Sequence, residues 1–158
     1  MANEIQTKFD VVAAVAITLS NLASGAARQG TFIANATRRG AAKVTVKITS
    51  DAAAAPFASS TYEVWLLRGD GTSRDDGCGA ADAAYPAPPT LPANATLIGT
   101  LVLTADTSQA FIGTFDTSSA GPLGPTWSIA IANRSGNKLN ANGALSYVNY
   151  EYYLPEIQ

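Results

Sequence analysis

The chain has 158 residues with 47% hydrophobic and only 14% charged, a balance that excludes an intrinsically disordered chain and is long enough to bury one sizeable core. Ten Lys and Arg against twelve Asp and Glu leave a net charge of -2. That offers no basic footprint for nucleic acid and none for an acidic membrane surface. Histidine is absent, which removes Ser-His-Asp triads, Cys-His dyads and histidine metal sites.

One cysteine, Cys78, leaves no partner for an intramolecular disulfide, so the fold rests on packing. The apolar run Phe9–Leu22 is interrupted by Asp10, Thr18, Ser20 and Asn21 and preceded by Glu4. It does not read as a secretion signal, and at about 14 residues it is too short to span a bilayer. The expectation is a protein made in a cytoplasm that remains or assembles there.

In chain order, Met1–Lys8 is polar and without periodicity, which predicts an extended arm, mobile in the free protein and ordered on a neighbour. Residues 9–158 then form one domain. Phe9–Leu19 reads as a strand with Phe9, Val11, Val15, Ile17 and Leu19 on one face, although its alanines also favour helix. Ser24–Gly30 reads as a turn and Thr31–Ala34 as a short strand. Lys43–Thr49 alternates strictly, placing Val44, Val46 and Ile48 inward and Lys43, Thr45 and Lys47 outward. Ser60–Arg68 is apolar on both faces, which predicts a central strand or one covered on its second side.

Gly69–Asn94 shows no periodicity over about 26 residues, long for a compact domain. Its first half carries Asp70, Asp75, Asp76 and Asp82 among glycines. Its second half, Tyr85–Pro92, is predicted to run as stiff polyproline II. Replacing the whole excursion by a short turn is expected to leave a folded domain. Leu97–Thr104, Gln109–Asp116 and Thr126–Asn133 are further strands. Ala105–Ser108 has the length and composition of a hairpin loop, and the two prolines of Ser118–Pro125 forbid a strand there.

Leu145–Leu154 is the longest strand-forming run and holds four of the six tyrosines. Val148, Tyr150, Tyr152 and Leu154 form its apolar face, with partners expected on its edges. About eight strands and one excursion predict an all-β, jelly-roll-like antiparallel sandwich.

The candidate chemistry is sparse. No phosphate loop or dinucleotide fingerprint occurs. Asp70, Asp75 and Asp76 do not have the spacing of a calcium loop and read as a solvated acidic loop, and Cys78 as an idle thiol. No cofactor and no metal are expected. Asn35, Asn94 and Asn133 head glycosylation patterns but read as turn residues. Trp65 and Trp127 could stack on sugars, yet sit at strand positions where burial is commoner.

The segment Ile17-Thr18-Leu19-Ser20-Asn21-Leu22-Ala23-Ser24-Gly25-Ala26-Ala27-Arg28-Gln29-Gly30 and the Asn35 stretch resemble a recurring opening of small tailed-bacteriophage virion proteins. The turn Asn133–Leu139 before the tyrosine strand and Leu154-Pro155-Glu156 are similar to their ending. About a third of the chain is covered, and the Gly69–Asn94 excursion lies outside it. The resemblance implies a structural virion protein without enzymatic activity, a capsid cement or decoration protein on the exterior of the head. Its partner would be the major capsid protein, with a homo-oligomer, a trimer first, on the shell. The expected contact residues are Tyr85, Pro86, Pro88, Pro89, Leu91, Pro92, Ile5 and Gln6. The alternative is a carbohydrate- or receptor-binding module of a phage fibre.

Overall fold

The computed structural model describes residues 5–85 and 94–157. Among these residues, eleven strands form two antiparallel sheets. They are β1 (Ile5–Phe9), β2 (Ala13–Val15), β3 (Ala27–Gln29), β4 (Ile33–Ala34), β5 (Ala42–Thr49), β6 (Thr61–Gly69), β7 (Ala83–Ala84), β8 (Thr96–Val102), β9 (Ala110–Asp116), β10 (Thr126–Asn133) and β11 (Tyr147–Ile157). The first sheet runs β1-β11-β5-β9 with β2 also on β11; the second runs β7-β3-β10-β6-β8 with β4 also on β10.

Counting β1 with β2 and β3 with β4, and setting the two-residue β7 aside, eight principal strands remain. They pair first with last (β2–β11), second with seventh (β3–β10), third with sixth (β5–β9) and fourth with fifth (β6–β8). Nested pairs split over two sheets are the jelly-roll arrangement that the strand count predicts.

The patterned strands fold as their periodicity dictates. Val44, Val46 and Ile48 are fully buried, because side chains alternate faces along a strand. β11 receives β5 on one edge and β1 with β2 on the other, and its Val148 face turns inward. Across the core, Trp127 of β10 donates its indole N–H to the Tyr152 hydroxyl at 2.8 Å. Its ring meets Tyr150 edge-on, with centroids 5.0 Å apart, so one aromatic joint ties sheet to sheet.

Four expectations need correction. Phe9–Leu19 is not one strand: it breaks at Asp10–Val12, where Asp10 pairs with Arg39 at 3.0 Å and Val11 is 90% exposed. The arm, expected to lie free of the domain, is a strand from Ile5 on, because β2 takes only Val148–Tyr150 of that edge of β11 and leaves Tyr153–Ile157 available; residues 1–4 lie outside the described residues. The Ser24–Gly30 turn is shorter than expected, since Ala27–Gln29 pairs with Ala130–Ala132. β8 and β9 do not form a hairpin, because each already has a partner in a different sheet and the loop between them arches across the sandwich. The only helical residues described are three single turns, and no described helix is long and apolar enough to cross a membrane.

Val46→Asp should lower the unfolding free energy by about 4 kcal/mol by burying an unpaired carboxylate. Thr45→Asp, on the opposite face, should cost far less. Urea titration of both checks the register.

Candidate interaction surfaces

The excursion does not stand off the domain. β6 and β10 carry apolar side chains on both faces, and the outer face needs a cover of its own. Leu67, Ala130 and Ala132 there are fully buried and Trp65 nearly so, packed with Cys78 and Tyr85 of the excursion. Residues 78–85 run beside β3. Gln29 donates its side-chain amide to the carbonyls of Gly79 and Ala81 at 2.8 and 2.9 Å. Tyr85 donates its backbone N–H to Ala27, and Phe32 donates its own to Ala80. Arg28 meets Asp82 at 2.6 Å, and the Thr18 hydroxyl donates to the same carboxylate at 2.5 Å.

Asp70 is exposed, as a solvated loop predicts, whereas Asp75 and Asp76 are half-buried and accept hydrogen bonds from neighbouring segments. Asp70 accepts the N–H groups of Thr72 and Ser73, which hold its carboxyl below the usual range. Asp75 accepts the backbone N–H of Arg68 at 2.8 Å. Asp76 accepts the Tyr85 hydroxyl and both the backbone and side-chain N–H groups of Asn94. Among the described residues, no group of three or more potential His, Cys, Asp or Glu ligands could hold a metal ion. Burial pushes the Cys78 thiol up to about 11, with Asp76 and Asp75 adding to it, so at neutral pH the nucleophilic thiolate is suppressed. Burial also raises the Tyr85 phenol, with its bond to Asp76 adding to the effect.

The expected contact residues therefore divide. Tyr85 is 5% exposed and anchors the excursion, so it is not available as a docking side chain. Ile5 and Gln6 pair through their backbones with Ile157 and Glu156. Pro86, Pro88, Pro89, Leu91 and Pro92 lie outside the described residues. Trp127 and Trp65 are buried, as strand positions predict, and neither can stack on a sugar. Asn35 and Asn133 are buried with their side-chain amides donated to loop carbonyls.

Two of the open surfaces among the described residues combine a hollow with exposed large apolar side chains. On the outer face of the first sheet, Phe9 and Tyr147 are 43% and 38% exposed, each under a lysine: Lys43 lies 4.6 Å above the Phe9 ring and Lys47 5.8 Å above Tyr147. A hollow of about 170 Å³ there is lined by Val12, Lys43, Thr45, Tyr147, Asn149 and Glu151 among others. At the sandwich margin, β8 and β9 end their respective sheets. A shallow hollow of about 420 Å³ runs along them, with Val102 66% and Ile112 61% exposed. The Phe115 ring closes the gap between the sheets here, lying where a Cβ on Gly99 would come within 2.1 Å of it. This margin was missed in the sequence, although its signal was present: Ala110–Phe115 contains no charge and no proline.

No protein-family model matches the chain, and no curated protein matches it.

Burial alone would raise the Asp82 carboxyl, but the hydrogen bonds from Arg28 and Thr18 outweigh it and lower the pKa. A lowered folded-state pKa contributes stability that is complete above the ordinary carboxyl value near 3.8 and is lost as pH falls through the lowered one. Below that window the Ala80–Tyr85 amides should exchange faster relative to β10, and Asp82→Asn should show the faster exchange already at neutral pH. Hydrogen exchange against pH reads both.

Replacing Gly69–Asn94 by a short Gly/Ser turn is now expected to uncover Leu67 and Trp65, at a cost of about 4 kcal/mol. Substituting only residues 86–93 by a Gly/Ser stretch of equal length should leave the melting temperature unchanged. Calorimetry of the two variants decides.

Proposed function

We propose that this protein is a decoration or cement protein on the outer surface of a bacteriophage head, where it bridges neighbouring copies of the major capsid protein. The observation that carries this reading is the disposition of side chains on a two-sheet frame. The excursion's carboxylates are taken up as internal acceptors, while large apolar side chains lie uncovered: Val11, Val12, Phe57, Val102 and Ile112 are all more than half exposed. Apolar surface distributed over a rigid frame suits docking rather than chemistry. The resemblance of the Ile17–Gly30 and Asn133–Leu139 segments to small virion proteins supports the same role.

Such a protein acts by mass action. It binds the assembled lattice and not the dissociated subunits, so every bound copy shifts the equilibrium toward the lattice. Repetition over the shell adds contacts that are individually weak. Residues 86–93, with prolines at 86, 88, 89 and 92, are the first candidate for a segment lying against the shell, since a proline-rich sequence has little conformational entropy to lose on docking.

The experiment is to add the purified protein to heads of the phage that encodes it, prepared without it. Saturable cosedimentation and a higher disruption temperature of the heads are expected. The 86–93 Gly/Ser variant should bind at least tenfold more weakly while melting as the parent does. Heads that bind no protein overturn the proposal.

A second reading, a carbohydrate- or receptor-binding module of a fibre, is favoured by the aromatic and lysine-bearing outer face of the first sheet. Under it the protein is retained on host-surface polysaccharide and Tyr147→Ala abolishes retention, with no binding to heads.

A further inference from the structure

The strand β9 is a sheet edge that nothing described covers, and it lacks the devices that protect the other edges. Natural proteins blunt edge strands with lysines, prolines, bulges or extreme shortness. The second sheet uses two of these: β7 has two residues, and β8 carries a bulge at Ile98, where the pairing with β6 skips from Gly99 to Leu97. In the first sheet β1 bears the exposed Lys8. β9 keeps seven consecutive pairs with β5, without a bulge, from Lys43↔Asp116 to Thr49↔Ala110. Its one charge stands at its end.

The direction of its outer backbone groups follows from the ladder. Thr117 donates its N–H to Ala42, and Gln109 accepts from Ser50, so odd-numbered residues of this segment turn their N–H and C=O toward β5. In an antiparallel ladder these directions alternate. The backbone groups of Ala110, Ile112, Thr114 and Asp116 therefore point outward; the Ala110 carbonyl accepts the Gln109 side-chain amide at 3.1 Å and the Asp116 carbonyl the Ser119 hydroxyl at 3.5 Å, each with a second lone pair left, and among the described residues β5 is the only strand paired with β9.

We propose that the β9 edge binds a second copy of this chain, β9 to antiparallel β9, joining two first sheets into one continuous sheet across a two-fold axis at Gly113. This register is self-complementary. Ile112 faces Thr114 of the second copy and Ala110 faces Asp116, all outward-directed residues, so each such pair exchanges two hydrogen bonds. Gly113 meets its own copy at a non-hydrogen-bonded position, where Cα atoms approach to about 4.5 Å and a residue without a side chain fits best. No like charges face each other, since each Asp116 lies opposite an alanine. The exposed Ile112 is covered, and Val102 on the flanking strand lies at the rim.

The area is sufficient. Seven residues make a ladder about 24 Å long, and a two-sheet margin is about 20 Å deep, so each copy covers on the order of 500 Å². The pair then buries about 1,000 Å², the lower bound for a specific interface, which sets a reversible dimer. A two-fold contact uses the same patch on both copies, whereas the trimer that the virion resemblance implies needs two different patches. The inference stands apart from the head-decoration reading and does not require it.

The test is sedimentation of the full chain across a wide concentration range. A reversible monomer–dimer equilibrium in the micromolar range is expected. Thr114→Pro removes an outward N–H and leaves the backbone ladder to β5 intact, losing only the exposed hydroxyl contact with Thr45, and Ile112→Glu places a carboxylate beside Lys47 in its own sheet but inside the contact. Each should raise the dimer dissociation constant at least tenfold with the circular dichroism spectrum unchanged. If one of the two fails to fold, the other decides. A mixture of Ile112→Cys and Thr114→Cys proteins should form a crosslinked dimer on mild oxidation, beyond what either forms alone. A parent that stays monomeric at high concentration, a trimer, or two folded variants that dimerise as the parent does overturns the proposal.

Discussion

The structure depends on a constraint that two strands impose: β6 and β10 are apolar on both faces, and one opposing sheet can cover only one of them. Val64, Leu66, Ile129 and Ile131 enter the core against the first sheet, while Trp65, Leu67, Ala130 and Ala132 point the other way. An uncovered second face would expose contiguous apolar surface at the centre of the sheet. The excursion answers that constraint. Its Cys78 and Tyr85 lie on this face, and the surrounding polar groups hold it there.

That arrangement gives the composition of the excursion a physical reason. A segment crossing a sheet face without joining the ladder along its length must satisfy its own backbone groups. Asp70, Asp75 and Asp76 accept backbone N–H groups from Thr72, Ser73, Arg68 and Asn94, and Asp76 also accepts the Tyr85 hydroxyl. Arg28 and Gln29, adjacent in sequence, reach the excursion from β3. Two residues of the Leu22–Gly30 segment thus anchor a stretch 50 to 54 residues away. The Ala27-Arg28-Gln29 pattern is a docking site within the chain itself.

The frame also accounts for where partners could act. The aromatic joint of Trp127, Tyr150 and Tyr152 fixes the sheets against each other. What stays open is peripheral: the β9 margin, the tyrosine-bearing outer face of the first sheet, and the exposed Val11 and Val12 where the first strand breaks. A rigid sandwich with several small uncovered patches fits a role in a repeating assembly, where no single patch has to be large.

The local pattern of the sequence alone determined the strands that have one wet face and one dry one. Val44, Val46 and Ile48 could only be buried together, and Val148, Tyr150 and Tyr152 could only turn inward, because period-two alternation leaves no second solution. It also predicted that Ser60–Arg68 would be central or covered on its second side, and the strand is both. Local pattern did not say what the cover was. Gly69–Tyr85 has no periodicity, since a segment that packs through a few anchors and holds itself by side-chain acceptors has no repeat to display. Nor did it say that Ile5–Phe9 would pair or that β8 and β9 would part, because both outcomes depend on which strand edges are vacant once the others have paired. The vacancy at β9 is of the same kind. Its neutral sequence was in plain view, but an edge exists only when the whole order of strands is known.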